Sequence, residues 1–235
     1  MARRLAGLPV DRYEPAAAPD PGAWRALDAW LPLAGRVYIR PPDQQPADEA
    51  DTGTMKKLPT IPIEDCAPVS VKANADDRGC LVEIFREEWV GAFKTVQWNA
   101  CSSRSGVMRG AHVHIDYDEF YTLPVGRVFI ALRDIRRASP TFGNSIGFEW
   151  SATDGFAVPV PAGVAHAVFF LDDSVLAFGL SAYWKAERDV LGCRWDDLDP
   201  SLQWPLESAR LSARDTESGS FADMLARYEA MSVVA

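Results

Sequence analysis

Between about residues 60 and 205 the apolar positions come in short runs cut by turn residues. The runs "CLVEIF", "FKTVQWNA", "GVMRGAHVHI", "EFYTLPVG", "RVFIALRDI", "SIGFEWS", "GFAVPVPAG", "AHAVFFLDD" and "SVLAFGLSAYW" each suit a strand. Gly106, Gly126, Pro140, Gly143, Gly155, Pro161 and Gly163 punctuate them. Many short strands with no helix between them predict an all-β sandwich or barrel, and a jelly roll fits well. Helical periodicity enters only after residue 205, in "SFADMLARYEAM". The expected organisation is a jelly-roll domain over residues 58–210 with a helical tail over residues 211–235.

Residues 1–57 have a different texture. "EPAAAPDPG" and "RPPDQQPADEADTG" read as linker. Between them "AWRALDAWLPL" places Trp24, Leu27, Trp30 and Leu31 on one helical face, and "GRVYI" suits a short strand. Met55, ahead of Lys56 and Lys57 after the acidic linker, is a candidate alternative translation start. We read this stretch as an extension.

Charge narrows the partners. The chain has 235 residues and a net charge of −9, which disfavours nucleic acid and anionic membrane surfaces. No apolar run is long enough to span a bilayer, and the apolar stretch before Asp11 is too short for a signal sequence. Cys66, Cys80, Cys101 and Cys193 form no CxxC pair and read as reduced thiols of a cytoplasmic protein.

The chain holds only three histidines. His112 and His114 are two apart in "HVHIDYDE", so on a strand they point to one face. Glu119 would face the other way on a straight strand, unless the polar "IDYD" turns or bulges and brings it round. Downstream, "GFAVPVPAGVAH" delivers His166 at the start of a strand. H-x-H-x4-E-x6-G followed by G-x5-P-x-G-x2-H resembles the two metal-binding motifs of the cupin superfamily. His112, His114, Glu119 and His166 fall on the ligand positions. Three imidazoles and a carboxylate suit a first-row divalent ion: Fe(II) foremost, with Mn, Ni, Co, Zn or Cu as alternatives.

A second likeness covers about residues 66–215. "DDRGCLVEIF", "VQWNACSSRSGVMRGAHVH", "DIRRASPTFG", "VPAGVAHAV" and "RWDDLDPSLQWPL" together resemble the dTDP-4-dehydrorhamnose 3,5-epimerase family. The resemblance implies a jelly roll and a homodimer, since residues of the Arg78 type reach across the family's interface. Arg78, Glu83, Gln97 and Asn99 match positions that grip nucleotide and phosphates. Arg109 and His112 match the family's "RGxH" segment, whose histidine is the base, and His166 matches its second histidine. The family's catalytic lysine falls on Glu119, the aspartate behind the second histidine falls on Ile130, and the proton-returning tyrosine falls on Trp184. The retained "RASPTFG" and "RWDD" read as a turn and a helix cap.

Electrostatics weighs on these departures. A carboxylate beside a forming enolate costs about 1–4 kcal/mol for charges about 4 Å apart, and preorganised positive charge is usually a large part of such catalysis. Lysine-to-glutamate and the added His114 complete a metal set, so the expected function is a metal-dependent cupin enzyme acting on a small oxygenated metabolite or sugar nucleotide. The metal would serve as Lewis acid or O2 site, for isomerase, epimerase or oxygenase chemistry. With His112 a ligand, Tyr121 and Tyr183 become the candidate acid–base groups, and Arg78, Gln97, Asn99 and Arg109 the substrate-binding set. Gln97 and Asn99 share a strand face that lines a pocket, and Trp98 between them is expected in the core. Two alternatives stand beside this reading: a metal-free 3,5- or 3-epimerase of a dTDP-4-keto-6-deoxyhexose with His112 as base, and a sugar-nucleotide-binding protein without catalysis.

Overall fold

The computed structural model describes residues 58–89, 94–206 and 208–232. The helix and strand expected before residue 57, and Met55, lie outside them. Among the described residues the expected strand texture is realised as eleven strands, all paired antiparallel. They are β1 (Val69–Ser70), β2 (Ala73–Asp76), β3 (Gly79–Val82), β4 (Gln97–Ser103), β5 (Met108–His112) and β6 (Glu119–Val125), then β7 (Arg127–Asp134), β8 (Ser145–Ser151), β9 (Phe156–Val160), β10 (Val164–Phe170) and β11 (Ser174–Leu180). A five-stranded sheet has the order β1-β9-β6-β11-β4, a four-stranded sheet the order β5-β10-β7-β8, and β2-β3 form a separate hairpin. The crossovers between the two sheets make the expected jelly roll.

Alternation along each strand sorts side chains to two faces. In β10, Val164, Val168 and Phe170 join Tyr121, Leu123, Ile130, Trp150 and Val158 in the core between the sheets. Ala165, Ala167 and Phe169 point to the other face, where Leu191, Cys193, Leu198, Met224 and Tyr228 cover them. Both faces of β10 are therefore buried, which explains its unbroken apolar run. Met224 and Tyr228, one helical turn apart, belong to α2 (Phe221–Ser232), which follows the four-residue α1 (Ala213–Thr216). Each large side chain buried here contributes about 1.5–3 kcal/mol.

The two polar runs shared with the resembled family, "RASPTFG" and "RWDD", are structural. Asp134, fully buried, accepts hydrogen bonds from Arg136 (2.9 and 2.8 Å), Ser139 (2.6 Å) and Thr141 (2.7 Å), closing the "RASPTFG" turn. Trp195–Asp197 form a short 3-10 turn, and Asp197 accepts from the Phe221 N–H at 2.7 Å at the start of α2. Cys66, Cys101 and Cys193 are free thiols, and burial pushes those of Cys66 and Cys193 up to about 12. Trp98 is not core: it lies 38% exposed on the outer face of the larger sheet, edge-on to Phe85 and Phe120. Among the described residues no helix is long and apolar enough to cross a membrane.

Candidate active site

The residues singled out by spacing sit where the two sheets meet. β5 ends at His112, and the chain leaves the sheet before β6 begins at Glu119. Asp118 secures this crossing. Its carboxylate accepts from the Ala162 N–H (2.9 Å), its N–H donates to the Ser181 hydroxyl (2.8 Å), and its carbonyl accepts from the Ser181 N–H (3.0 Å). The polar "IDYD" thus carries Glu119 onto the opposite sheet, facing inward. Gly163 shapes the turn before β10: at φ 79°, with a Cβ position only 2.3 Å from the Tyr228 hydroxyl, it admits no side chain. Its N–H donates to the His114 carbonyl at 2.8 Å, and three residues later β10 aims His166 into the interior.

Glu119 is the centre of a buried cluster. Its Oε2 lies 2.6 Å from the Tyr121 hydroxyl, 3.2 Å from His166 Nε2 and 3.5 Å from His114 Nε2. His114 stacks on Tyr117, ring centroids 4.3 Å apart. Burial pushes His114 and His166 down to about 4, which leaves both imidazoles neutral, and burial pushes the Glu119 carboxyl above its ordinary value, toward its neutral form. Geometry agrees. His166 Nδ1 is 3.2 Å from the Val164 carbonyl, which can only accept, so Nδ1 holds the ring proton. Nε2 then offers a lone pair to Glu119, and a neutral carboxyl is the partner that can donate to it.

His112 stands apart from this cluster. It is the direct cross-strand partner of His166, but its Nε2 lies 2.6 Å from Asp215 Oδ1. Asp215 sits on α1, where the Ser212 hydroxyl donates to its Oδ2 (2.9 Å) and accepts its N–H (3.1 Å). Burial alone would raise the Asp215 carboxyl; the bond and charge of His112, with Ser212 and Arg214, outweigh it and hold the group below its ordinary value. Gly192 makes room for the imidazole, since a Cβ there would lie 3.2 Å from His112 Cδ2 and 2.9 Å from the Ala111 carbonyl. Sequence reasoning missed Asp215. It lies 103 residues from His112 in a segment with no strand or helix pattern, and only the pairing itself reveals it.

The remaining candidates divide. Gln97, Leu180, Glu119 and Val160 form one row of directly paired residues across the larger sheet, and Asn99, Phe178, Tyr121 and Val158 the next. Paired residues share a face, so Gln97 and Asn99 look inward beside Glu119 and Tyr121, with the Gln97 amide donating to Asn99 (3.0 Å). A register shift in the β5–β10 pair between His166 and Ala167 puts Arg109, opposite Val168, on the same face as His112. The Arg109 Nε donates to Ser103 (3.0 Å). Arg78 is elsewhere, on the β2–β3 turn, paired with Asp76 at 2.6 Å and 85% exposed. Tyr121 is buried and spends its hydroxyl on Glu119, while Tyr183 and Trp184 are exposed on the segment after β11.

The chain matches the dTDP-4-dehydrorhamnose 3,5-epimerase family over residues 60–223. It is 31% identical over 169 residues to the dTDP-4-dehydrorhamnose 3,5-epimerase of Shigella flexneri, covering 68% of this chain and 93% of that protein. A Legionella pneumophila dTDP-6-deoxy-D-glucose-3,5-epimerase, solved with dTDP-4-keto-L-rhamnose, superposes with a TM-score of 0.65 at 28% identity, covering 73% of this chain and 95% of that one. A 3'-monoepimerase from Streptomyces bikiniensis, solved with dTDP-quinovose, gives 0.63 at 27% identity over 74% and 90%.

These relatives overturn the expected metal centre. Epimerases of this type act without a metal, so the metal-dependent reading, with Fe(II), Mn, Ni, Co, Zn or Cu as Lewis acid or O2 site, is withdrawn. The spacing was real: His114, Glu119 and His166 do converge, their ligand atoms within 4.8 Å of one another. Two things were invisible in it. His112 is committed to Asp215, and burial favours the neutral form of the Glu119 carboxyl, which weakens the repulsion that called for a cation. A jelly roll of the cupin superfamily with a histidine–aspartate pair at its rim, matched along its length by sugar-nucleotide epimerases, this chain belongs to the dTDP-4-dehydrorhamnose 3,5-epimerase family.

Proposed function

We propose that the chain is a metal-free epimerase of a nucleotide-linked 4-keto-6-deoxyhexose, acting at C3 or at C3 and C5. The observation that carries this is the 2.6 Å contact between His112 Nε2 and Asp215 Oδ1. With its Nε2–H donated to a carboxylate, His112 holds the tautomer whose Nδ1 lone pair is free to act as a base. It takes the proton from the carbon next to the C4 ketone, and the electron pair moves onto the ketone oxygen as an enolate. Asp215 stabilises the imidazolium formed. A proton returned to the other face of the same carbon completes the inversion, with no change of oxidation state.

Glu119 fits this scheme because burial favours its neutral form, which would add no charge against the enolate. Tyr121 is committed to Glu119, so we assign the returning proton to Tyr183, which neighbours Trp184 at the family's tyrosine position. Gln97, Asn99 and Arg109 would hold the nucleotide end. Arg78 belongs, in this proposal, to the site of a second copy, and the exposed Leu81, Ile84, Val96 and Trp98 would be covered in that homodimer. Light scattering of the purified chain decides the last point.

The central test is solvent deuterium exchange. Incubated in D2O with a dTDP-4-keto-6-deoxyhexose, the protein should wash deuterium into C3, or into C3 and C5, without added metal and in the presence of a chelator. The alternative of a binder without catalysis is favoured by Ile130 and Trp184 at two of the family's functional positions. Binding of dTDP with no exchange would establish it and end the epimerase reading.

A further inference from the structure

The segment joining β11 to Gly192 starts and ends at the site. Leu180, at its head, pairs with Glu119, and Gly192, at its foot, pairs with His112. It therefore bridges the two sheets on which the buried cluster and the histidine–aspartate pair reside. Residues 183–190 are exposed, with one exception: Asp189 turns inward, its side chain only 11% exposed. No apolar side chain in this stretch is buried, so polar contacts hold it.

Asp189 gathers most of them. Its Oδ2 accepts from the Trp184 indole N–H (3.0 Å) and from Arg214 Nη1 (2.8 Å), and its Oδ1 accepts from Arg214 Nη2 (3.1 Å). Arg214 is the residue before Asp215, so the pair ties the segment to the element that carries the partner of His112. The Trp184 backbone N–H donates to Gln97 Oε1 (3.0 Å), fixing the near end to β4. Arg188 pairs with Asp116. His114 Nδ1, a buried atom with no hydrogen-bond partner among the described residues, lies 3.6 Å from Asp189 Oδ1. Approach by about half an ångström would bring it within bonding distance.

We propose that Asp189 is a positioning residue of the reaction, fastening this segment across the site so that Tyr183 and Trp184 meet the bound sugar and Arg214 keeps Asp215 against His112. The proposal rests on the epimerase reading above. A bidentate arginine–carboxylate bond has a defined geometry, unlike a sliding apolar contact. Held by a few polar bonds, the segment opens to admit a nucleotide sugar and closes in one register.

The test is Asp189→Asn, which keeps size and removes the charge. Exchange kinetics should show kcat down by about tenfold or more with KM raised alongside it, as for a loss of closure. The Trp184 indole 15N–1H resonance, identified by its absence in Trp184→Phe, should move. Asp189→Glu should restore part of both. Because Asp189→Asn weakens the bond that Trp184→Phe removes, their losses should be less than additive. Additive losses, or unchanged kcat and KM with an unmoved indole signal, would overturn the assignment. If the wild-type chain exchanges no deuterium, the epimerase reading fails separately. The indole signal and dTDP affinity then decide for Asp189: both altered in Asp189→Asn supports it, both unaltered overturns it.

Discussion

Asp215→Asn isolates the contact on which the functional proposal stands. The substitution keeps the side chain's shape on α1 but removes the charge that meets His112 at 2.6 Å. Asp215 is 6% exposed, so water does little to screen that charge. A hydrogen bond to a charged group contributes about 1.5–3 kcal/mol, and here its full strength develops only when His112 has taken the substrate proton. At about 1.4 kcal/mol per decade of rate, kcat for C3 deuterium exchange should fall about ten- to two-hundredfold. KM should stay within about threefold, because Asp215 does not bind the sugar. The loss could be larger, since an amide can donate its own N–H to Nε2 and force the proton onto Nδ1, abolishing the base's lone pair. The assay is loss of the C3 proton signal in D2O by NMR, with thermal unfolding measured in parallel. Exchange within about threefold of wild type in a folded Asp215→Asn protein would refute His112 as an aspartate-supported base.

Further outcomes are expected. Gly192→Ala places a methyl group 3.2 Å from His112 Cδ2 and 2.9 Å from the Ala111 carbonyl, and should cut exchange by about tenfold or more while the far-ultraviolet circular dichroism stays the same. Glu119→Gln keeps an acceptor for Tyr121 and a donor for His166, so exchange should remain within about threefold; a hundredfold loss would show that the carboxyl itself is needed. Asp134 has its carboxyl held at about 2: burial would raise it, but Arg136, Ser139 and Thr141 outweigh burial. Its folded value lies below its unfolded one, so its contribution of about 2 kcal/mol is full above about pH 4 and lost as pH falls toward 2. Asp134→Asn should flatten the acid limb of the stability curve over that window, as followed by denaturant midpoints.

Some of this could be read from the chain alone, and the reasons are physical. Alternation with period two is a local property, so the strands and the inward pair Gln97 and Asn99 were legible in neighbouring residues, whereas the meeting of His114 with His166 came from the likeness to the cupin motifs. The metal inference failed on a property that spacing does not carry, the environment of a carboxyl. Glu119 as a letter is an anion, but beneath Tyr121, His114 and His166 burial raises its carboxyl and favours the protonated form. Asp215 was out of reach for another reason. Its partner lies on β5, and the one-turn helix that carries it has no periodicity to announce it. Trp98 shows the limit of alternation itself: it separates two faces, but does not say that the outer one is left partly open.

Asp215 follows every strand of the jelly roll in the chain, and this imposes an order on synthesis. A ribosome that has released residues 58–180 has supplied both sheets, yet His112 still lacks its partner. The same late stretch brings Leu191, Cys193, Met224 and Tyr228 over the outer face of β10. Until it emerges, the nascent barrel presents an apolar wall around Phe129 and Phe169. The partner of His112 and the cover supplied by Met224 and Tyr228 thus arrive together, after both sheets are complete, and a premature stop near residue 210 would leave a barrel with an unpaired His112 and a partly bare apolar wall.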